Sequence, residues 1–65
     1  MTAIYRVVLN HEANGWGWGP EDIEAATPAD AIANAQQRAA DEFSFKTYST
    51  MTTDWTPAAA PEVVG

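Results

Sequence analysis

The spacing of apolar positions changes along the chain, and each change marks an element. In "AIYRVVLN", residues 3–10, the alternation is that of a strand: Ala3, Tyr5, Val7 and Leu9 share one face, and Ile4, Arg6, Val8 and Asn10 share the other. Its β-branched and aromatic side chains suit a pleated surface. The first set carries no charge and is expected to face the core, which leaves Ile4 and Val8 around Arg6 on the outer face. "EDIEAA", residues 21–26, alternates again, with Ile23 and Ala25 inward and Asp22 and Glu24 outward, so a second strand antiparallel to the first is expected. Between the two, "HEANGWGWG" reads as a wide glycine-rich loop. Asn14-Gly15 is its strongest turn signal, because both residues tolerate positive φ.

The period then becomes helical. Thr27 is placed to cap a helix, Pro28 suits the first helical position, and Asp30 lies three residues after the cap at the positive helix end. A helix over about 28–42 follows, with Ile32, Ala35, Gln36, Ala39 and Phe43 as its buried stripe. The small alanines allow it to lie close to a sheet. "FSFKTYSTMTTDW", residues 43–55, returns to alternation and reads as a third strand, with Phe45, Met51 and Trp55 on one parity and Lys46 and Tyr48 on the outer one. Strand, strand, helix, strand has a simple solution: an α+β, two-layer ββαβ sandwich, sheet order 2-1-3, the helix on one face. The domain would span residues 1–55, and "TPAAAPEVVG", residues 56–65, would be an extended or disordered tail.

Length sharpens this picture: 65 residues allow one thin core, so every large apolar side chain matters. With no cysteine, disulfides, thiolate metal sites and thiol catalysis are excluded. No run of 18 or more apolar residues appears, and the N-terminus lacks the three regions of a signal peptide, so a soluble cytoplasmic product away from the membrane is expected. Nine acidic residues against Arg6, Arg38 and Lys46 give a net charge of −6. Such a field repels nucleic-acid phosphate, so direct nucleic-acid binding is not expected.

Candidate chemistry is sparse. "GWGWGP" raises two possibilities: an aromatic platform of Trp16 and Trp18 for a partner, or at least one ring that folds back over the helix end and Phe43 or Trp55 because the core is short of bulk, which leaves the other for recognition. Glu21, Asp22, Glu24 and Asp30 lack the alternating oxygen ligands of a calcium loop, and so small a core encloses no catalytic cavity. They read as a solvated acidic face, or as a docking surface for a basic partner. His11 is the only histidine and has neither a metal-ligand set nor a nucleophile beside it. The threonine-rich stretch lacks a nucleophile elbow, and "GWGWG" lacks the Gly-Lys-Ser/Thr of a phosphate loop. No enzyme, cofactor or metal site is expected.

"IEAATPADAIANAQQRAADEF" resembles the strand, cap and helix of very small ββαβ accessory proteins of bacteriophages, actinobacterial phages among them, and of mobile elements. The likeness is one of architecture over residues 3–55. It implies a protein that binds or inhibits a host protein in the host cytoplasm, or a minor structural piece of a particle. The expected contact residues of such a binding module are Trp16, Trp18, Glu21, Asp22, Glu24, Ile4, Val8 and Tyr48. The competing readings are a homo-oligomer that buries Ile4, Val8 and Tyr48 between copies, and an acidic mimic of nucleic acid.

Overall fold

Residues 1–43 and 52–65 are described by the computed structural model. Strand β1 (Ala3–His11) pairs antiparallel with β2 (Trp16–Ala25), and helix α1 (Pro28–Phe43) packs on one face of the sheet. A short 3₁₀ turn (Thr52–Asp54) leads to Trp55. Two short strands then follow one another along the second edge of β1: β3 (Thr56–Pro57) opposite Leu9 and Asn10, and β4 (Glu62–Val63) opposite Tyr5 and Arg6. The order β2-β1-β3 and the single covering helix are the expected α+β layers.

The residues that fill the third position are not the expected ones. Phe43 belongs to the helix, Thr52–Asp54 forms the 3₁₀ turn, and the paired segment begins at Thr56. Residues 44–51, which include Phe45, Lys46, Tyr48 and Met51, lie outside the described residues. The segment 56–65, expected as a tail apart from the domain, is extended but joined to the sheet. Ala58 N–H donates to Val8 O at 2.9 Å, Val64 N–H donates to Ile4 O at 2.8 Å, and Ile4 N–H donates to Gly65 O at 2.8 Å. Both flanks of β1 therefore find backbone partners, which a central strand requires.

β2 begins five residues earlier than its sequence pattern suggests, because its inward parity switches. Trp16 and Trp18 pair with His11 and Leu9, whereas Ile23 and Ala25 pair with Tyr5 and Ala3. Between Val7 and Leu9 one residue of β1 faces Gly19 and Pro20 of β2, a bulge that turns even positions inward before it and odd positions inward after it. Gly19 makes this possible. Its φ is +91°, and a Cβ there would lie 2.5 Å from Val7 O. The Gly19–Pro20 peptide bond is cis.

The β1–β2 connection is a four-residue turn, 12–15, in which only Gly15 takes positive φ, at +69°. Asn14, which tolerates that conformation, does not take it. Thr27 caps α1 as expected: its Oγ1 accepts from Asp30 N–H at 3.1 Å, and its carbonyl accepts from Ala31 N–H at 3.0 Å. The buried helix stripe is rotated from the expected one. Ala31, Ala35, Ala39 and Ala40 lie against the sheet, and Ile32, Gln36 and Phe43 flank them half-buried. Alanine at the closest approach lets β1 side chains and Trp55 fill the space, so Val7, Leu9 and Trp55 are the largest fully buried side chains.

Candidate functional site

The residues singled out from the sequence separate into two surfaces on opposite faces of the sheet. On the helix side, both Trp16 and Trp18 turn toward the core. Trp18 is only 5% exposed. Its Nε1–H donates to Glu42 Oε2 at 2.7 Å, and the Arg38 guanidinium lies 5.5 Å from its ring centroid. Arg38 also reaches Glu21 Oε1 at 3.3 Å. Glu21 pairs with Val7 and so faces the helix, not the outer surface with Asp22 and Glu24. Glu21, Arg38, Trp18 and Glu42 thus clamp the C-terminal half of α1 to β2. The exposed ion pair contributes at most about 1 kcal/mol, and the buried indole carries more of the effect.

Trp16 is half-buried and stacks on Phe43, ring centroids 5.1 Å apart. It also neighbours Trp55 at 6.5 Å and His11 at 5.0 Å. His11, 4% exposed, meets Trp55 edge-on at 5.0 Å, and Phe43 closes the group at 4.9 Å from Trp55. Trp16 folds back over the helix end against Phe43 and Trp55, as the sequence leads one to expect of one ring, and Trp18 turns onto α1 as well, so the two form no flat platform. Gln36 Nε2 donates to Trp55 O at 2.7 Å, tying the return segment to the helix. Trp55 Nε1 is buried and has no hydrogen-bond acceptor among the described residues. His11 Nδ1 lies 3.4 Å from Asn14 Nδ2, and its Nε2 lies 4.0 Å from Asp54 Oδ2. Among the described residues no cavity opens into this cluster.

The other surface is the uncovered face of the sheet. Ile4, Arg6 and Val8 of β1 stand on it, as their parity predicts, with Ile4 38% and Val8 36% exposed. Val64, 37% exposed, bonds through its backbone to Ile4, and a Cβ at Gly65 would lie 3.3 Å from Ile4 Cδ1. Asp22 and Glu24 of β2 flank this apolar stripe on one side, and Glu62 of β4, opposite Arg6, flanks it on the other. Arg6 Nε donates to Asp22 Oδ1 at 3.1 Å. Asp30 lies at the start of α1, away from this face. Val64 and Glu62 escape the sequence reading because they sit in the segment taken as a tail; the apolar pair "VV" beside Glu62 is the only local signal of them.

Among the described residues no three His, Asp or Glu side chains come together to hold a metal ion. Nor, among the described residues, is any helix long and apolar enough to cross a membrane. Comparison with protein-family models, with curated proteins and with solved structures gives no match.

Proposed function

We propose that this chain is a non-enzymatic protein-binding module that meets its partner through the outer sheet face, with Ile4, Val8 and Val64 at the centre and Asp22, Glu24 and Glu62 at the rim. The observation that carries this reading is an apolar stripe on the central strand that no described element covers, bordered by carboxylates on both sides. An apolar centre with a charged rim is the anatomy of a protein interface. Charge selects the kind of partner. Both described arginines are paired within the fold, with Asp22 and Glu21, while the chain carries an excess of six negative charges. A partner that offers lysines or arginines around an apolar patch is steered toward this face, whereas a second copy would bring like charges together. A homo-oligomer is disfavoured on that ground.

The likeness to phage accessory proteins supports placing such a partner among host proteins, in the host cytoplasm. An acidic mimic that occupies a nucleic-acid-binding protein is the second reading, favoured by the same excess of carboxylates. The test compares tagged wild type with a folded Ile4→Ser, Val8→Ser double variant and a Trp16→Phe variant in capture of a host protein, at low and high salt. The interface predicts that the double variant loses the captured protein while Trp16→Phe keeps it. Capture unaffected by the double variant but abolished by salt would support mimicry by charge alone and overturn the apolar interface.

A further inference from the structure

We propose that the Asn14-Gly15 pair is a self-modification site, at which the folded protein converts Asn14 to a mixture of aspartate and isoaspartate. The reaction is intramolecular. The Gly15 backbone nitrogen, losing its proton, attacks Asn14 Cγ; the Cγ–Nδ2 bond breaks, and ammonia leaves with that proton. Water then opens the resulting five-membered imide at either carbonyl, giving aspartate or its β-linked isomer. The sum is one water consumed and one ammonia released.

The turn supplies what this chemistry needs. Asn14 is exposed at the tip of the 12–15 turn. The Gly15 N–H is held only by a long 3.4 Å contact to Glu12 O, so the nucleophile is weakly engaged. Gly15 has no Cβ, and apart from its two chain neighbours no described atom lies within 4 Å of where one would stand, so the rest of the fold leaves space beside the attacking nitrogen. The other two asparagines differ. Asn10 lies inside β1 before His11, and Asn34 lies inside α1 before Ala35. Their backbone is fixed by regular structure, and the following residue carries a side chain.

The conversion acts on the aromatic cluster. Asn14 Nδ2 now offers an N–H toward His11 Nδ1 at 3.4 Å. A carboxylate in its place has only acceptors, so the contact survives only when Nδ1 of His11 carries a proton. His11 Nε2 already faces Asp54, and Glu12 is the other acid in the turn. The modified turn therefore favours the His11 tautomer that carries its proton on Nδ1, in a ring whose centroid lies 5.0 Å from those of both Trp16 and Trp55, a geometry in which indole fluorescence reports the change. The isoaspartate form also adds a methylene to the backbone just before the His11–Trp16 rung.

The test incubates the folded protein at mildly alkaline pH beside the same chain unfolded in urea, with intact mass and fragmentation to locate the product. Labelling by an isoaspartyl-directed methyltransferase identifies the β-linked isomer. The expected result is conversion at residue 14 in the folded protein at a rate comparable to that in urea. Gly15→Ala should slow it by about tenfold or more, which corresponds to ~1.4 kcal/mol of barrier. The Asn14→Asp variant should reproduce the fluorescence of the aspartate product. A folded protein that stays unmodified while the unfolded chain converts would overturn the proposal, as would conversion at Asn10 or Asn34 at an equal rate.

Discussion

The glycines of "GWGWG" offer a graded test of the bulge. At Gly19, a Cβ would sit 2.5 Å from Val7 O, 3.1 Å from Glu21 N and 3.4 Å from the Val8 Cα, all backbone atoms, at φ +91°. Side-chain rotation relieves none of these contacts. The Gly19→Ala variant must move the backbone by at least the 0.5 Å that separates 2.5 Å from the 3.0 Å floor of observed Cβ contacts. An alanine held at such a φ costs about 1–3 kcal/mol. A ladder hydrogen bond displaced at the bulge adds roughly another 1 kcal/mol. The expected loss is therefore about 2–4 kcal/mol, against a total stability of roughly 3–10 kcal/mol for a chain this short.

At Gly17 the nearest atom to a Cβ is Leu9 O at 4.0 Å, an ordinary distance, so Gly17→Ala is expected to stay within about 0.5 kcal/mol of wild type. Gly15→Ala meets no neighbour but keeps a φ of +69°, for about 1 kcal/mol. Urea unfolding followed by tryptophan fluorescence and far-ultraviolet circular dichroism measures the series. With a slope of about 1 kcal/mol per molar urea for a small domain, the midpoints separate clearly. Equal losses at Gly17 and Gly19, or a Gly19→Ala variant as stable as wild type, would refute the assignment of the bulge.

The Trp55→Ala variant removes the largest fully buried side chain and is expected to cost about 3–5 kcal/mol, seen as a largely unfolded dichroism spectrum at 37 °C. The Glu42→Ala variant leaves Trp18 Nε1 without its acceptor and should lose about 1–3 kcal/mol, whereas Glu42→Gln keeps an acceptor oxygen and removes a negative charge near the helix C-terminus, so its midpoint should stay near wild type. The Ala35→Leu variant forces a larger side chain between α1 and the sheet and should lower the thermal midpoint, through about 1–3 kcal/mol of overpacking, while Asn34→Leu on the exposed face should not.

Helix and first strand are legible because their patterns are long and carry local punctuation: Thr27 and Pro28 open the helix, and nine residues of β1 show one uninterrupted alternation. β2 is half legible. Its inward residues are even-numbered at Trp16 and Trp18 and odd-numbered at Ile23 and Ala25, so no single alternation spans it, and its first half reads as loop. The break coincides with Gly19-Pro20, the one place where a bulge could absorb the switch. The tryptophans follow from the same step: once the strand is extended back through the bulge, both rings must face α1. The clamp of Glu21 by Arg38 depends on that parity as well and is invisible until the bulge is placed.

The third sheet position was hidden for a different reason. β3 and β4 have two residues each, too few to show any period, and in "TPAAAPEVVG" one contains Pro57 and the other follows Pro61. A proline is tolerated there because the segment is the outermost of the sheet, where a missing N–H faces away from the ladder. What holds the segment is backbone bonding to β1, which leaves almost no imprint on side-chain pattern. This attachment has a measurable consequence. Removing residues 62–65 takes away both backbone partners of Ile4, so the Ile4 amide should exchange with solvent much faster while Ala35 and Ala39 amides in α1 keep their protection. Unchanged protection at Ile4 in the shortened chain would mean that the C-terminal segment does not pair with β1, and with it would go the place of Val64 and Glu62 on the outer face.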